Sequence, residues 1–187
     1  DDVDITLTKP NYIKLCNYQK KHSHPQYVLQ DHSTDPGYYG FWSVLRDTKS
    51  EYLQDDIRHN MRRYRGLQID IFPVEIGHTL SFKKIALKIA YYNRKWFISN
   101  HKHIFAFIFV LQNKILNALL EILDDFIGNK DEYSYPYGSS FFETIKSVDY
   151  HPFSKISFEG HDFPAPHNVE GYLISMYGKN YMNLPMQ

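Results

Sequence analysis

Cysteine is almost absent from this sequence, which contains one, Cys16. A single thiol excludes an internal disulfide and any zinc cluster built on cysteines. An excess of either charge is also absent, because 21 basic residues balance 21 acidic residues. Without a net positive charge the chain has no broad electrostatic footprint for duplex nucleic acid, so we expect no nucleic-acid partner.

Long apolar runs are scarce as well. The longest apolar run, residues 104–111, has eight residues and is interrupted by Gln112. A membrane-spanning helix needs about 20 consecutive, mainly apolar residues. We interpret this segment as a packed core helix, and the alternative is an amphipathic helix that lies on a membrane surface. The nearby basic residues that favour this alternative are Lys83, Lys84, Lys88, Arg94, Lys95 and Lys102.

The composition that remains is that of a globular protein. The chain has 187 residues, of which 43% are hydrophobic and 22% are charged, enough to bury a substantial core. We therefore expect one domain over residues 1–187. Aromatic residues reach 17%, and we assign most of them to packing, although such rings can also surround a quaternary ammonium group.

The periodicity of the chain predicts an α+β fold. Alternating polar and apolar residues indicate strands, and apolar residues at helical spacing indicate helices. In chain order we expect a strand at 2–7, a helix at 9–22, strands at 38–47 and 67–74, helices within 80–127, and, after turn-rich residues, a short helix from about Asn168 to Tyr177 that ends at Gly178. The polar residues 51–66 are interpreted as a connection with helical character.

Acidic residues occupy two of the predicted strands. In the first, Asp2 and Asp4 are two residues apart, so their side chains project from the same face. In the second, Asp70 lies within the apolar stretch GLQIDIFPVE, where a carboxylate is costly unless it is paired or bound to a cation. If the two strands are neighbours, the three carboxylates form one cluster, whose oxygen ligands suit a hard ion such as Mg²⁺ or Mn²⁺.

Such a cluster suits phosphoryl transfer. Carboxylates on adjacent strands can hold two divalent ions about 3.5–4 Å apart, which activate an attacking hydroxyl and neutralise a leaving phosphate. Asp70, in apolar surroundings, is also a candidate base for that hydroxyl. Asp-x-Asp alone is a weak signal, because it usually marks a solvated turn.

The basic stretch RHNMRRYR, residues 58–65, has two interpretations. A run of like charges is usually a solvated helix face. The alternative is a phosphate site, because arginine pairs with phosphate through two parallel hydrogen bonds.

Four segments together resemble the LicD family of phosphocholine and related phosphodiester transferases, which includes the fukutin-related proteins. The segments are DDVDI at 1–5, FWSVLRDTKS at 41–50, GLQIDIFPVE at 66–75 and FEGHDFPAPHNVEGYLISMYGKNYMNLP at 158–185. They occur in the order of the family's motifs and span almost the whole chain.

The resemblance implies a nucleotidyltransferase-like fold, in which a mixed sheet presents the acids, helices cover one side and residues 80–127 form a helical insertion. It implies that Asp2 and Asp4 are the paired metal-binding acids and that Asp70 is the third catalytic acid. Family members pass phosphocholine from a CDP-linked donor such as CDP-choline to a sugar hydroxyl of a cell-surface glycan, such as lipopolysaccharide, teichoic acid or capsular polysaccharide, and release CMP. The implied partners of this chain are such a donor and a glycan acceptor that can be lipid-linked.

Further site residues follow from the same resemblance. Arg46 falls where the family carries a basic residue, and we expect it to contact donor phosphate with Asp47 orienting it. A structural ion pair at the end of the strand is the alternative. Tyr172 and Tyr177 are candidates for the border of the pocket, although tyrosines in such a helix more often pack.

The family pattern also has a Gly-rich segment before the first acids, whose amides would bind donor phosphate. This sequence begins after that point, so we expect the domain to continue upstream of Asp1. Two alternatives stay open: a noncatalytic relative that docks on a membrane or a partner through residues 104–123, and a nucleotidyltransferase that transfers the nucleotide itself. With neither a signal peptide nor a disulfide, we expect a cytoplasmic location, at the inner face of the membrane for a lipid-linked acceptor.

Overall fold

The computed structural model describes residues 4–38, 40–53, 62–100 and 106–183. The strands are β1 (Asp4–Thr8), β2 (Tyr27–Gln30), β3 (Ser43–Asp47), β4 (Gln68–Ile76), β5 (Glu132–Ser134), β6 (Thr144–Lys146), β7 (Ser154–Phe158) and β8 (His161–Ala165). The helices are α1 (Lys9–Lys21), α2 (Leu80–Asn100), α3 (Ala106–Ile127), α4 (Ser147–Tyr150) and α5 (Val169–Tyr177). The described part of the chain is therefore α+β, as predicted.

Six strands form one mixed sheet in which β4 is central. β1 runs parallel to β4, whereas β3 and β5 pair with it in antiparallel fashion. β2 and β6 extend the sheet beyond β3 and β5. The chain passes directly from β1 into α1, which is the strand and helix that the sequence pattern predicts.

β4 continues through a proline. The pattern predicts a strand that ends near Val74, whereas the observed strand runs to Ile76. Pro73 is in register with Leu7 of β1 and lies between the residues of β4 that pair with β3 and those that pair with β5. The missing N–H of the proline therefore costs no ladder bond to β3 or β5.

Helices cover both faces of β4. Phe72 and Val74 belong to the main aromatic core, against which Tyr172 of α5 packs. Glu75 projects from the opposite face, where it contacts α1. The expectation that helices cover only one side is wrong, because residues 71–74 are all buried and each face of the strand needs a cover.

Helices α2 and α3 account for the predicted helical region. Ala86 of α2 and Leu120 of α3 are buried together with Tyr137, which follows β5. The expectation of a packed core helix is correct for only one face of α3, because apolar residues on its other face are exposed, Phe126 at 82%. Among the described residues, no helix has both the length and the apolar character that crossing a bilayer requires.

The C-terminal segment contains a hairpin where the pattern predicts turns. β7 and β8 are joined by Glu159 and Gly160, both at positive φ, 51° and 76°, as in the tight turns that glycine favours. The side chain of Asn168 then caps α5 by accepting a hydrogen bond from the N–H of Gly171 at 3.0 Å. Gly178, at φ 82°, ends the helix, so the predicted bounds of this helix are confirmed.

Candidate functional site

Two of the predicted acids lie side by side in the sheet. Asp4 of β1 is in register with Asp70 of the parallel strand β4. In-register residues of neighbouring strands are about 4.8 Å apart and project from the same face. The fold therefore brings Asp4 and Asp70 together, while Asp2 lies outside the described residues.

The same face of the sheet continues from the acids to a guanidinium group. Gln68 is in register with Arg46 of β3, and residues 68 and 70 share a face because they are two apart. The amide Nε2 of Gln68 donates a hydrogen bond to Asp70 Oδ1 at 3.2 Å. Asp4, Asp70, Gln68 and Arg46 thus form a continuous polar strip across three strands.

Arg46 is a buried, fixed positive charge. Its side chain is 1% exposed, with Nε donating to Gln30 Oε1 at 2.9 Å and Nη1 donating to the carbonyl of Gly66 at 2.8 Å. Its second terminal nitrogen, Nη2, is buried and has no hydrogen-bond partner among the described residues. Burial and the neighbouring Arg62 lower the pKa of Arg46, and Asp70 opposes the shift. Arginine nevertheless keeps its charge in proteins.

Asp47 does not orient Arg46. Successive residues of a strand face opposite sides of the sheet. The carboxylate of Asp47 accepts hydrogen bonds from Gln26 Nε2 at 3.1 Å and from the N–H of Lys49 at 2.9 Å, and so holds the turn after β3. The expected contact between Asp47 and Arg46 is therefore wrong, while a role of either residue in binding a donor stays a prediction.

The side chain of Arg46 is held by a buried polar network instead. Gln30 accepts from Arg46 and donates to Asp35 Oδ2 at 2.6 Å. Asp35 also accepts two backbone N–H groups, one from the loop after β2 and one from the segment before β4. Through these hydrogen bonds, the network holds the two loops that carry Tyr38 and Arg62 against the sheet.

Tyr38 and Arg62 join the acid pair to an aromatic cavity. The guanidinium carbon of Arg62 lies 5.9 Å from the centre of the Tyr38 ring. The buried Tyr38 hydroxyl has no hydrogen-bond partner in the part of the chain that the structure describes. Burial, followed by the charge of Asp70, raises the pKa of Tyr38 well above its usual value. Both residues line a cavity of about 160 Å³. Its other aromatic and basic walls are Phe41, Trp42, Tyr91, Phe109 and Arg94.

Tyr172 lies near the other acid, Asp4. Burial raises the pKa of Tyr172, and the charges of Tyr177 and Asp4 add to the rise, while a hydrogen bond with Tyr135 opposes it. The hydroxyl oxygens of Tyr172 and Tyr135 are 3.3 Å apart. Tyr177, further along α5, is 67% exposed. Of the two predicted border residues, Tyr172 is thus the one that the packing holds near the acids.

The donor set of the acid pair suits a hard cation. Adjacent carboxylates supply oxygen ligands of the kind that Mg²⁺ and Mn²⁺ prefer. Within the described ranges, no group of three or more His, Cys, Asp or Glu side chains is arranged to hold a metal ion. Of the three expected ligands, Asp4 and Asp70 are neighbours in the sheet and Asp2 falls outside those ranges, so a metal site at these acids stays a prediction.

Sequence patterns miss the side chains that surround Asp70. Gln30, Asp35 and Tyr38 carry no local signal beyond the Asp-Pro-Gly turn. The basic stretch at 58–65 does contain Arg62, but the described residues 62–65 are not helical. Arg62 borders the cavity, and the phosphate interpretation of this stretch stays a prediction.

Comparisons with protein-family models, with curated proteins and with solved structures found no match for this chain. The geometry of the acid pair and its surroundings therefore carries the functional argument.

Proposed function

We propose that this protein is a metal-dependent transferase that moves phosphocholine, or a similar alcohol phosphate, from a CDP-linked donor to a hydroxyl of a cell-surface glycan and releases CMP. The observation that carries the proposal is the in-register pair of Asp4 and Asp70 beside the buried guanidinium of Arg46. The resemblance of four segments to the LicD family supplies the classes of donor and acceptor. Action on a lipid-linked acceptor at the cytoplasmic face of a membrane belongs to the same proposal.

The acids and arginines of this site have separate roles in the proposed reaction. Asp4 and Asp70 would hold Mg²⁺ or Mn²⁺, which when bound neutralises charge on the transferred phosphate. Asp70, which is partly buried, accepts the proton of the acceptor hydroxyl. Arg46 and Arg62 oppose the negative charge of the donor phosphates.

The aromatic cavity supports a nucleotide-linked donor. Its rings offer flat surfaces for a pyrimidine base or faces for a quaternary ammonium group, and Arg62 and Arg94 stand among them. The raised pKa keeps the Tyr38 hydroxyl protonated, so it can donate a hydrogen bond to a ligand oxygen. A donor seated in this cavity would extend its phosphates toward Asp70.

Calorimetric titration of CDP-choline into the protein tests this function. The titration is run with and without Mg²⁺ on the unaltered protein, on Asp4→Asn and on the control Asp162→Asn, whose side chain is 63% exposed. We expect Mg²⁺-dependent binding by the protein and by the control, and binding at least about tenfold weaker for Asp4→Asn. Absence of Mg²⁺-dependent binding for CDP-choline and for other CDP-alcohols would overturn the proposal.

Product analysis separates the proposal from the two alternatives. Phosphocholine transfer leaves phosphocholine on the acceptor and CMP in solution. A nucleotidyltransferase leaves the nucleotide on the acceptor. A noncatalytic docking protein does neither and shows no metal-dependent donor binding.

A further inference from the structure

Helix α3 is apolar on two opposite faces, of which the core covers one. Leu116 and Leu120 lie on the inner face and pack with α2 and Tyr137. The outer face carries large apolar residues spaced three or four apart, which we call the outer stripe: Phe107, Leu111, Ile115, Leu119, Ile122 and Phe126. These six side chains are 53–82% exposed.

Helix α2 presents a basic and aromatic outer face. Lys84, Lys88 and Lys95 are exposed there, interspersed with Tyr92 and Trp96. α2 contains no acidic residue along its whole length. In a chain whose formal net charge is zero, this helix therefore concentrates positive charge.

The two outer faces belong to one surface. α2 and α3 contact each other side by side, with the rings of Trp96 and Phe109 5.2 Å apart, and both turn their buried residues, such as Ala86 and Leu120, toward the same core. Each helix exposes the face opposite to its buried one, so the outer stripe and the α2 lysines lie on the same side. Contiguous exposed apolar side chains of this kind mark interaction surfaces.

We infer that this surface docks on an anionic lipid membrane, with the outer stripe buried at the boundary of headgroups and acyl chains and the α2 lysines on the headgroups. Lysine, tyrosine and tryptophan beside a large apolar face are typical of helices that lie in the membrane interface. A second copy of the chain fits this surface less well, because each α2 would need acids opposite its three exposed lysines; α2 itself supplies none, and exposed Asp125 of α3 is a single acid. The inference does not depend on the proposed transfer reaction.

Vesicle sedimentation tests the inference on the full chain. The probes are vesicles of phosphatidylcholine alone and of phosphatidylcholine mixed with phosphatidylglycerol. The first variant combines Leu111→Asn with Ile115→Asn in the outer stripe, and its control combines Ile13→Asn with Leu53→Asn, which are also exposed. The second variant combines Lys84→Gln, Lys88→Gln and Lys95→Gln, and its control combines Lys14→Gln, Lys20→Gln and Lys21→Gln on the exposed side of α1.

We expect the protein and both controls to sediment with the anionic vesicles. The stripe variant should lose most of this binding, and the lysine variant should weaken it on the order of a hundredfold, at about fivefold for each lysine. Circular dichroism melting curves identify any variant that does not fold. Failure of the unaltered protein to bind anionic vesicles at low salt overturns the inference, as does equal loss in the controls. A dimer in solution that the stripe variant dissociates, without vesicle binding, also overturns it and assigns the surface to a second copy.

Discussion

Strand β4 carries an acid toward each end, and the two acids lie in different surroundings. Asp70, near the start, is on the face that continues into the aromatic core, and Glu75, near the end, is on the opposite face against α1. A carboxylate inside a fold is costly unless its charge is compensated. The two ends of the strand differ in the polar groups that surround the acid.

Glu75 is compensated from within the chain. Lys9 Nζ lies 2.9 Å from Glu75 Oε1 and 2.6 Å from Glu121 Oε1. His78 extends the cluster, with Nε2 3.4 Å from Glu75 and Nδ1 3.0 Å from Asp124. These contacts join α1, β4 and α3, so we interpret the cluster as a connection that stabilises the fold.

The surroundings of Asp70 keep polar capacity that the described protein groups do not use. The Tyr38 hydroxyl and Arg46 Nη2 are buried without hydrogen-bond partners, and the neighbouring acid Asp4 is exposed. Unused donors beside acids are expected where a ligand completes the site. The comparison teaches that one residue type in one strand can stabilise the fold at one end and, in our proposal, bind a ligand at the other.

The largest expected effect is that of Asp70→Asn on activity. Loss of the carboxylate removes a metal ligand and the proposed base, so we expect the rate of CMP release to fall on the order of a thousandfold or more. Glu75→Gln is the matched variant at the other end of the strand and should keep most of the activity. An Asp70→Asn protein with the activity of the unaltered protein would contradict the assignment.

The next largest effect is that of Lys9→Met on stability. Glu75 and Glu121 then lose the positive charge that pairs with both of them. We expect the free energy of unfolding to fall by about 2 kcal/mol. This loss is smaller than that for a fully buried ion pair, because the Lys9 side chain is partly exposed. Urea unfolding measures the change. Lys155→Met is the control, since Lys155 is 78% exposed and lies 4.0 Å from its acid. Equal losses in the two variants would show that the cluster has no stabilising role.

The pH dependence of stability should also report the Glu75 cluster. Burial raises the pKa of Glu75 from 4.5 to about 7, and Lys9 opposes the rise. The folded state then binds the proton more tightly than the unfolded state, so this group makes stability fall as pH rises from about 5 to 7. Between about pH 5 and 8, we expect Glu75→Gln to gain on the order of 2 kcal/mol relative to the unaltered protein.

Urea unfolding of both proteins at the two pH values measures this gain. Burial also lowers the pKa of His78. The titration of His78 changes the stability of both proteins, so its effect largely cancels in the difference between them. A difference in stability that stays constant with pH would contradict the raised pKa of Glu75.

The smallest expected effect is that of Tyr38→Phe. Removing a buried hydroxyl that has no partner should leave the free energy of unfolding unchanged or raise it by less than about 1 kcal/mol. Donor binding should weaken by about two- to tenfold, because one hydrogen bond to the ligand is lost. Chemical denaturation and CDP-choline titration measure the two quantities. A large loss of stability would mean that the hydroxyl supports the fold rather than a ligand.

Local patterns predict the longer elements well and the short ones poorly. α1 and α5 have clear caps or helical spacing, and both are observed close to their predicted bounds. β5 and β6 are three residues each, too short for an alternating pattern to stand out. For the candidate site, residue type identifies Asp4 and Asp70, whereas Tyr38 reaches Asp70 only through a loop held by distant hydrogen bonds.

The sequence by itself determined which residues carry charge, where the chain alternates and where helices α1 and α5 begin and end, because these depend on neighbours within a few positions. Only the tertiary structure decided that Asp4 meets Asp70 in parallel register, that Asp47 turns away from Arg46, and that the outer stripe of α3 stays exposed. Register and burial depend on which distant segments pack together, and that choice is made by the whole chain.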